Sequence, residues 1–335
     1  MNEKKQVVQI GVVGCGQWGP NQIRSFFFHP GTSVKRVADL SESRLEFIRS
    51  TYTGIETTQN HLDITEAKDI DAVVITTPVF THFEIAKSAL VNGKDVLCEK
   101  PLTLSVDEAQ ELVDLAKKHR RILMVGHVFL FNPGIQKMKE FLKAGEIGKI
   151  YYLHAKRTNL GPIRSDVNSV YDLASHDISV FNYLLDGEPE VVSATGRCFL
   201  QPEVEDVAFI TLRYSENVLA HIHVSWLDPK KIRQLTVVGD QKMMTWDDLS
   251  QSGPLEIYSK TVEKTPYYKG FGEFHLLAKD GEVRIPRVPV AEPLRIQTDH
   301  FVDCVINRTQ PVCDGQNGLS VVRTIDEINR KLKDS

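Results

Sequence analysis

The stretch Val7–Gly19, VVQIGVVGCGQWG, largely decides the fold class. Its first half is a run of β-branched apolar residues, the composition of a short buried strand. Gly14, Gly16 and Gly19 then form a G-x-G-x-x-G motif that opens a predicted helix over 19–28. This is the context in which the motif binds a dinucleotide. Gly14 is expected to make the tight turn, Gly16 to let the backbone approach a pyrophosphate, and Gly19 to let helix and strand pack closely.

The second part of this fingerprint is an acidic residue about 20 positions further on. Asp39 meets that condition, since 39 − 19 = 20, and it follows a predicted strand, Val34–Ala38. A carboxylate there accepts hydrogen bonds from the adenosine ribose hydroxyls and repels a 2′-phosphate, which predicts NAD as the cofactor. Arg44 is the type of residue that holds a 2′-phosphate, so NADP stays open.

Strand and helix patterns alternate through the first 125 residues, whereas strand-like runs follow one another from about residue 150. The alternation predicts a doubly wound parallel sheet, an α/β Rossmann domain over residues 1–125. The succession of strand-like runs predicts an α+β domain over 126–335 with a mostly antiparallel open sheet. One long helix is predicted over 170–185 in this second domain, and two more near 294–308 and 319–332.

Composition excludes several classes of function. The 335 residues carry a net charge of −4, which gives no bulk electrostatic reason to bind nucleic acid or an anionic membrane. No apolar run approaches the roughly 18 residues of a membrane span, and the polar start predicts no signal peptide. The five cysteines are widely spaced without a CxxC pair, which predicts reduced thiols, no metal site and a cytoplasmic protein.

Two further segments carry candidate chemistry. Glu99-Lys100-Pro101 follows a predicted strand, Asp95–Cys98, at the end where open α/β sheets bind ligands. Asp172 and His176 are four residues apart on the predicted helix 170–185, a spacing that places both on one face. The alternatives are a surface lysine and a helix-capping pair. Three other polar residues are weaker candidates that are more often structural: His82, His127 and Asp177.

Taken together, these segments resemble the Gfo/Idh/MocA family of oxidoreductases over essentially the whole chain. The resemblance rests on GVVGCGQWG, Thr77-Pro78, His82, the Gly93–Pro101 segment with its EKP motif, and Asp172-x-x-x-His176. It implies a Rossmann domain, then an open sheet that often forms the interface of a homodimer or homotetramer. The cofactor residues that it implies are Gly14, Gly16, Gln17, Trp18, Gly19, Asp39, Thr77, Pro78, His82, Glu99 and Lys100.

The resemblance implies that Lys100, Asp172 and His176 are catalytic. Oxidation of a secondary alcohol requires a base for the hydroxyl proton. His176 is of the residue type suited to that task at neutral pH, and Lys100 is expected to hydrogen-bond the same oxygen. Which of the two takes the proton stays open. Asp172 is expected to orient the substrate or His176. No metal is required, because the cofactor performs the redox step.

Two stretches narrow the substrate. WGPN at 18–21 and NLGPIR at 159–164, ahead of Asp172, resemble a subgroup associated with amino-sugar and surface-polysaccharide pathways. That subgroup contains UDP-N-acetylglucosamine 3-dehydrogenases, which make a 3-keto sugar for an aminotransferase. Candidate contacts to a diphosphate or sugar are Arg157, Asn159, Arg164 and Asn168; the alternative is a solvated loop. One departure is the apolar segment Val128–Pro133, where many members carry an arginine.

Three other functions remain open on the same scaffold. The first is an inositol or free-sugar dehydrogenase. The second is a non-catalytic NAD-binding regulator, against which the joint presence of Lys100, Asp172 and His176 argues. The third is an enzyme that keeps its NAD bound and recycles it with a second substrate.

Overall fold

The computed structural model describes residues 7–161, 163–250, 253–259, 261–263, 277–279 and 281–333. The chain divides into two compact units, residues 1–131 with 291–326 and residues 132–290 with 327–335. The predicted division, 1–125 and 126–335, differs because the chain returns to the first unit near its end. The reason is packing: Phe301 meets Phe26 edge to face, with ring centroids 6.0 Å apart. The sequence of a helix shows that it has an apolar face, but not which of two sheets that face covers.

Nine helices lie in the described part of the chain. Their bounds are α1 Gly19–Phe27, α2 Glu42–Thr51, α3 Leu62–Thr65, α4 His82–Val91, α5 Val106–His119, α6 Pro133–Lys143, α7 Ser175–Leu185, α8 Pro293–Asn307 and α9 Gly315–Lys333. None of the described helices is long and apolar enough to cross a membrane.

The described strands number sixteen. Their bounds are β1 Val8–Val13, β2 Thr32–Ala38, β3 Glu56–Thr58, β4 Ala72–Ile75, β5 Asp95–Cys98, β6 Leu123–Val125, β7 Ile150–Thr158, β8 Glu190–Arg197, β9 Val207–Arg213, β10 Leu219–Ser225, β11 Ile232–Gly239, β12 Met243–Asp247, β13 Leu255–Tyr258, β14 Thr261–Glu263, β15 Leu277–Lys279 and β16 Val283–Arg284.

The first unit is the doubly wound parallel sheet that the sequence predicts. Its strand order is β3-β2-β1-β4-β5-β6, and every pairing is parallel. The order runs outward in both directions from β1 and β4, and ligands of such sheets bind beyond the carboxyl ends of the strands at that switch point. The start of α5 is capped, because the Ser105 side chain accepts a hydrogen bond from the Glu108 N–H.

The second unit contains an eight-stranded sheet in the order β16-β13-β12-β11-β7-β10-β9-β8. All its pairings are antiparallel except that of β10 with β7, so the prediction of a mostly antiparallel sheet is confirmed. Burial alternates along β9 and β10. One sheet face therefore contributes to the core, and the other carries exposed side chains.

The predicted helix over 170–185 has a different start from the one expected. Val170–Ala174 forms a π-helical turn, in which the Ser175 N–H bonds to the Val170 carbonyl five residues back, and α7 begins at Ser175. The helix α6 was not predicted, although Asn132 and Pro133 are good residues for its start. The Asn132 side chain accepts a hydrogen bond from the Gly134 N–H at 2.9 Å.

Candidate active site

The glycine loop follows β1 and has the shape that a dinucleotide requires. Gly14 has a φ of +103°, and a Cβ there would lie 2.8 Å from the Thr76 carbonyl carbon. A Cβ on Gly19 would lie 2.3 Å from the Gly14 oxygen. Gly16 differs, since among the described residues a Cβ there would meet only Arg44, at 3.8 Å. The loop is thus closed against the sheet and open over Gly16, at the helix N-terminus where a pyrophosphate binds.

Asp39 is fixed at the end of β2 beside this loop. Its Oδ2 accepts the Cys15 N–H at 2.6 Å, and its Oδ1 accepts the Ser41 N–H at 2.9 Å. Arg44 Nη1 lies 3.5 Å from Oδ2. Each carboxylate oxygen has a further lone pair with which to accept from a ribose hydroxyl. Burial, with Asp39 next, raises the pKa of the Cys15 thiol to about 12, so this thiol is inert at neutral pH.

The Glu99 carboxyl group accepts hydrogen bonds both from α1 and from the turn that carries Lys100. Gln22 Nε2 donates to Glu99 Oε1 at 2.8 Å, and the Trp18 side chain also hydrogen-bonds to this carboxyl. The Lys100 backbone N–H donates to Oε2 at 3.3 Å. Burial raises the pKa of Glu99, and the Gln22 hydrogen bond opposes that rise. A Cβ on Gly126 would lie 2.8 Å from Oε2, so only glycine leaves room for this carboxyl.

His82 connects the turns that follow β4 and β5. Its Nε2 lies 2.9 Å from the Thr77 carbonyl oxygen, and its Nδ1 lies 2.9 Å from the Pro101 carbonyl oxygen. The ring is buried. Both ring nitrogens thus face carbonyl oxygens of the protein's own backbone. His82 therefore holds the turn with the predicted cofactor residues Thr77 and Pro78 against the Lys100–Pro101 turn. Gln17 and Trp18, by contrast, are exposed.

His127 lies next to Lys100 in the sheet register, because β5 pairs with β6 through Cys98 and Val125 and both residues stand two positions beyond that pair. It is 1% exposed, and neither ring nitrogen has a hydrogen-bond partner in the described chain. Burial, with the Lys100 charge second, lowers the pKa of His127 to about 3. A neutral imidazole therefore stands beside Lys100.

In the second unit, Asp172 lies in the π turn and His176 near the start of α7. Trp226 Nε1 donates to Asp172 Oδ2 at 3.1 Å, and Arg164 Nη1 lies 3.5 Å from Asp172 Oδ1. Arg164 also forms a two-bond pair with Asp166, at 2.9 and 2.6 Å. Sequence reasoning missed Trp226, whose one signal was its place as the last residue of a strand-like run, Val218–Trp226.

Like Arg164, two more of the four predicted substrate contacts bind other side chains of the protein, namely Arg157 and Asn168. Arg157 binds the Asp177 carboxylate, and each of these side chains is 4% exposed. Asn168 Nδ2 donates to Glu205 at 2.7 Å and to Asn329 at 2.9 Å, and its Oδ1 accepts the Tyr171 N–H at 3.2 Å.

Burial corrects the prediction for Arg157, which is held in the core beside α7 and has a supporting role. The side chain of Asn168 accepts a hydrogen bond from the π turn, but it is partly exposed, as are Asn159 and Arg164. These three residues stay candidates for substrate contacts. Pro162, in the same predicted stretch, lies outside the described residues.

Comparison with known proteins supports this reading of both units. Residues 8–127 match the model of the oxidoreductase family with an NAD-binding Rossmann fold, and residues 135–245 match the GFO/IDH/MocA C-terminal domain. The scyllo-inositol 2-dehydrogenase (NAD(+)) of Bacillus subtilis is 31% identical over 319 residues, which cover 91% of this chain and 88% of that protein.

Two further proteins extend the comparison. The UDP-N-acetylglucosamine 3-dehydrogenase of Acidithiobacillus ferrooxidans is 24% identical over 320 residues, which cover 94% of each chain. The crystal structure of the WlbA dehydrogenase from Bordetella pertussis, in complex with NADH and UDP-GlcNAcA, shares the fold with a TM-score of 0.82. It is 19% identical, and the alignment covers 99% of this chain and 97% of that one.

An NAD-binding Rossmann unit with a second unit of this kind defines a two-domain NAD-dependent dehydrogenase that acts on a CH–OH group. The chain belongs to the Gfo/Idh/MocA oxidoreductase family. The family and the fold class predicted from the sequence are therefore confirmed.

Proposed function

We propose that this enzyme oxidises a secondary ring hydroxyl of a nucleotide sugar, namely the 3-hydroxyl of UDP-N-acetylglucosamine or a close relative. The observation that carries the proposal is the cluster at the start of α7, where Asp172 is held by Trp226 and is approached by the half-exposed guanidinium of Arg164. An arginine suits a diphosphate, which a free sugar lacks. The nucleotide-sugar enzyme that matches along 94% of each chain supports this substrate class.

The proposed roles follow from the chemistry of alcohol oxidation. The proposed catalytic residues are Lys100, Asp172 and His176: either Lys100 or His176 takes the proton of the reacting hydroxyl, and Asp172 orients the sugar or His176. Bound NAD supplies the hydride acceptor. The open backbone over Gly16 receives its pyrophosphate and Asp39 its adenosine ribose, with NAD preferred over NADP because Asp39 is negatively charged. His82 and Glu99 hold the turns around Lys100 in place.

The product is a 3-keto sugar, whose carbonyl is the substrate that a downstream aminotransferase requires for amino-sugar synthesis. The free thiols of all five cysteines accord with a cytoplasmic location. The exposed face of the large sheet, with Tyr152, Phe209 and Leu219 on it, is the surface through which a homodimer or homotetramer would form.

The second candidate is an inositol dehydrogenase. It is favoured by the 31% identity to the scyllo-inositol enzyme and by the two carboxylates that already neutralise Arg164, since an inositol brings no negative charge.

The test is turnover of UDP-N-acetylglucosamine and of myo- and scyllo-inositol with NAD, followed by the absorbance of the reduced nicotinamide. An aminotransferase and its amino donor are added to remove the keto product. Turnover of the nucleotide sugar, lost in Lys100→Met and His176→Asn, supports the proposal. Turnover of inositols alone overturns it in favour of the second candidate, and NADH binding without any turnover indicates a regulator.

Arg164→Ala separates the two substrate classes. For a nucleotide sugar, loss of the cation should raise KM about tenfold or more, the effect of removing one charge-assisted hydrogen bond. For an inositol, KM should change little. Arg213→Ala is the matched control, because Arg213 is similarly exposed in the same unit and is likewise paired with a carboxylate, Glu190.

A further inference from the structure

Trp226 is among the largest fully buried side chains in the described residues, with 1% of its surface exposed. A buried indole N–H requires an acceptor, and Nε1 donates to Asp172 Oδ2 at 3.1 Å. The backbone of Trp226 is fixed as well, because its N–H donates to the Asp206 carbonyl oxygen at 2.9 Å. Both the backbone and the indole ring of Trp226 are therefore fixed, so the N–H that donates to Asp172 has a defined position.

The two oxygens of Asp172 have different kinds of partner. Oδ2 meets the neutral, buried indole, whereas Oδ1 lies 3.5 Å from Arg164 Nη1. The Arg164 side chain is 38% exposed and makes shorter contacts, at 2.9 and 2.6 Å, with Asp166. The contact to Arg164 is thus long and accessible to solvent, and the contact to Trp226 is short and protected from it.

The backbone around Asp172 does not by itself set the direction of the Asp172 carboxylate. Val170–Ala174 is a π turn, in which the Ser175 N–H reaches back to the Val170 carbonyl. Single π turns inside helices frequently lie at functional sites. Because the wider turn departs from α-helical geometry, the regular contacts between side chains three and four apart do not fix the direction of the Asp172 carboxylate. A hydrogen bond from outside the helix can fix it.

We propose that Trp226 is a positioning residue for the reaction: its indole N–H holds Oδ2 of Asp172 and leaves Oδ1 as the oxygen that meets the reacting sugar or His176. This inference rests on the proposed function, in which Asp172 takes part in alcohol oxidation. It adds a residue 54 positions away from Asp172 to the site.

Trp226→Phe removes the N–H and keeps most of the aromatic surface. We expect kcat to fall roughly tenfold to a hundredfold, the scale of a misplaced reacting group, while KM for NAD stays within about twofold. Trp246→Phe is the matched control, since Trp246 is also 1% exposed and lies on β12 of the same unit. It should lower Tm without the loss in kcat.

A double-mutant cycle with Asp172→Ala separates positioning from general support of the fold. If Trp226 acts through Asp172, then Trp226→Phe should reduce kcat little further when Asp172 is already alanine. An equal loss of kcat in both backgrounds, or an equal loss in Trp226→Phe and Trp246→Phe, would overturn the proposal.

The hydrogen bond between Trp226 and Asp172 can be detected by NMR without any substrate. The chain has three tryptophans, so an amide NMR spectrum contains three indole N–H signals, assigned with the phenylalanine variants. Asp172→Ala should shift the Trp226 indole signal and speed its hydrogen exchange, and the Trp246 signal should stay in place. An unmoved Trp226 signal overturns the inference. If the wild type oxidises neither nucleotide sugars nor inositols, the proposed function fails, and the indole signal still decides whether Trp226 holds Asp172.

Discussion

Arg157 on β7 and Asp177 on α7 form a buried ion pair with three N–H···O contacts. Arg157 Nε lies 3.1 Å from each carboxylate oxygen of Asp177, and Nη2 lies 2.8 Å from Oδ1. Asp177 directly follows His176, so the pair fixes the first turn of α7 on the large sheet. An arginine that sequence reasoning assigned to the substrate is thereby a support for the helix that carries His176.

Breaking this pair from one side should destabilise the protein strongly. Arg157→Met leaves the Asp177 carboxylate buried without its partner, which costs about 3–5 kcal/mol of unfolding free energy. Urea denaturation measures the loss. The double variant Arg157→Met/Asp177→Leu should recover most of it, because no unpaired charge remains. A single variant within about 1 kcal/mol of the wild type would show that the pair contributes little.

The local features of the site were predictable from sequence, and those made by distant residues were not. The glycine loop depends on the spacing of residues that are neighbours in the sequence. The contacts of Arg157 and Trp226 join residues 20 and 54 positions apart, which a single sequence does not pair. The return of residues 291–326 to the first unit was missed for the same reason.

The π turn shows a second limit of prediction. The spacing of Asp172 and His176 was interpreted as one face of an α-helix, but the structure inserts a wider turn before Ser175. Apolar periodicity does not distinguish one π turn from the α-helix that follows it.

Asp39 should determine the choice between NAD and NADP. Asp39→Ala removes acceptors for the ribose hydroxyls and the charge that repels a 2′-phosphate, and it frees Arg44, now 3.5 Å from Asp39, to bind that phosphate. Kd for NADH should rise about tenfold to a hundredfold, and Kd for NADPH should fall. Fluorescence titration of both cofactors measures the change. Asp39→Ala/Arg44→Ala is the control, in which the gain for NADPH should disappear.

Lys100 and His176 should matter for the chemical step more than for cofactor binding. Lys100→Met and His176→Asn should each lower kcat by about 10²–10⁴-fold, the range for loss of a proton-transfer group. Kd for NADH should change much less in His176→Asn, because His176 belongs to the second unit. Steady-state kinetics and NADH titration separate the two effects. If both variants keep wild-type kcat, other residues transfer the proton.

His127 should make the protein less stable in acid. Its pKa is about 3 in the folded protein, because of burial first and the Lys100 charge second, against the ordinary 6.5 expected in the unfolded chain. Below pH 6.5 the unfolded chain therefore binds a proton that the folded protein does not. The resulting loss of stability as pH falls through the window from about 6.5 to about 3 is about 1.4 kcal/mol per pH unit.

His127→Phe should remove this contribution. The unfolding free energy of the wild type relative to the variant should fall by about 2–3 kcal/mol between about pH 7.5 and about pH 4.5, measured by urea denaturation at constant ionic strength. Comparison with the variant cancels the carboxylates that titrate in the same range. Parallel curves for the wild type and His127→Phe would mean that His127 takes up its proton equally in the folded and unfolded states.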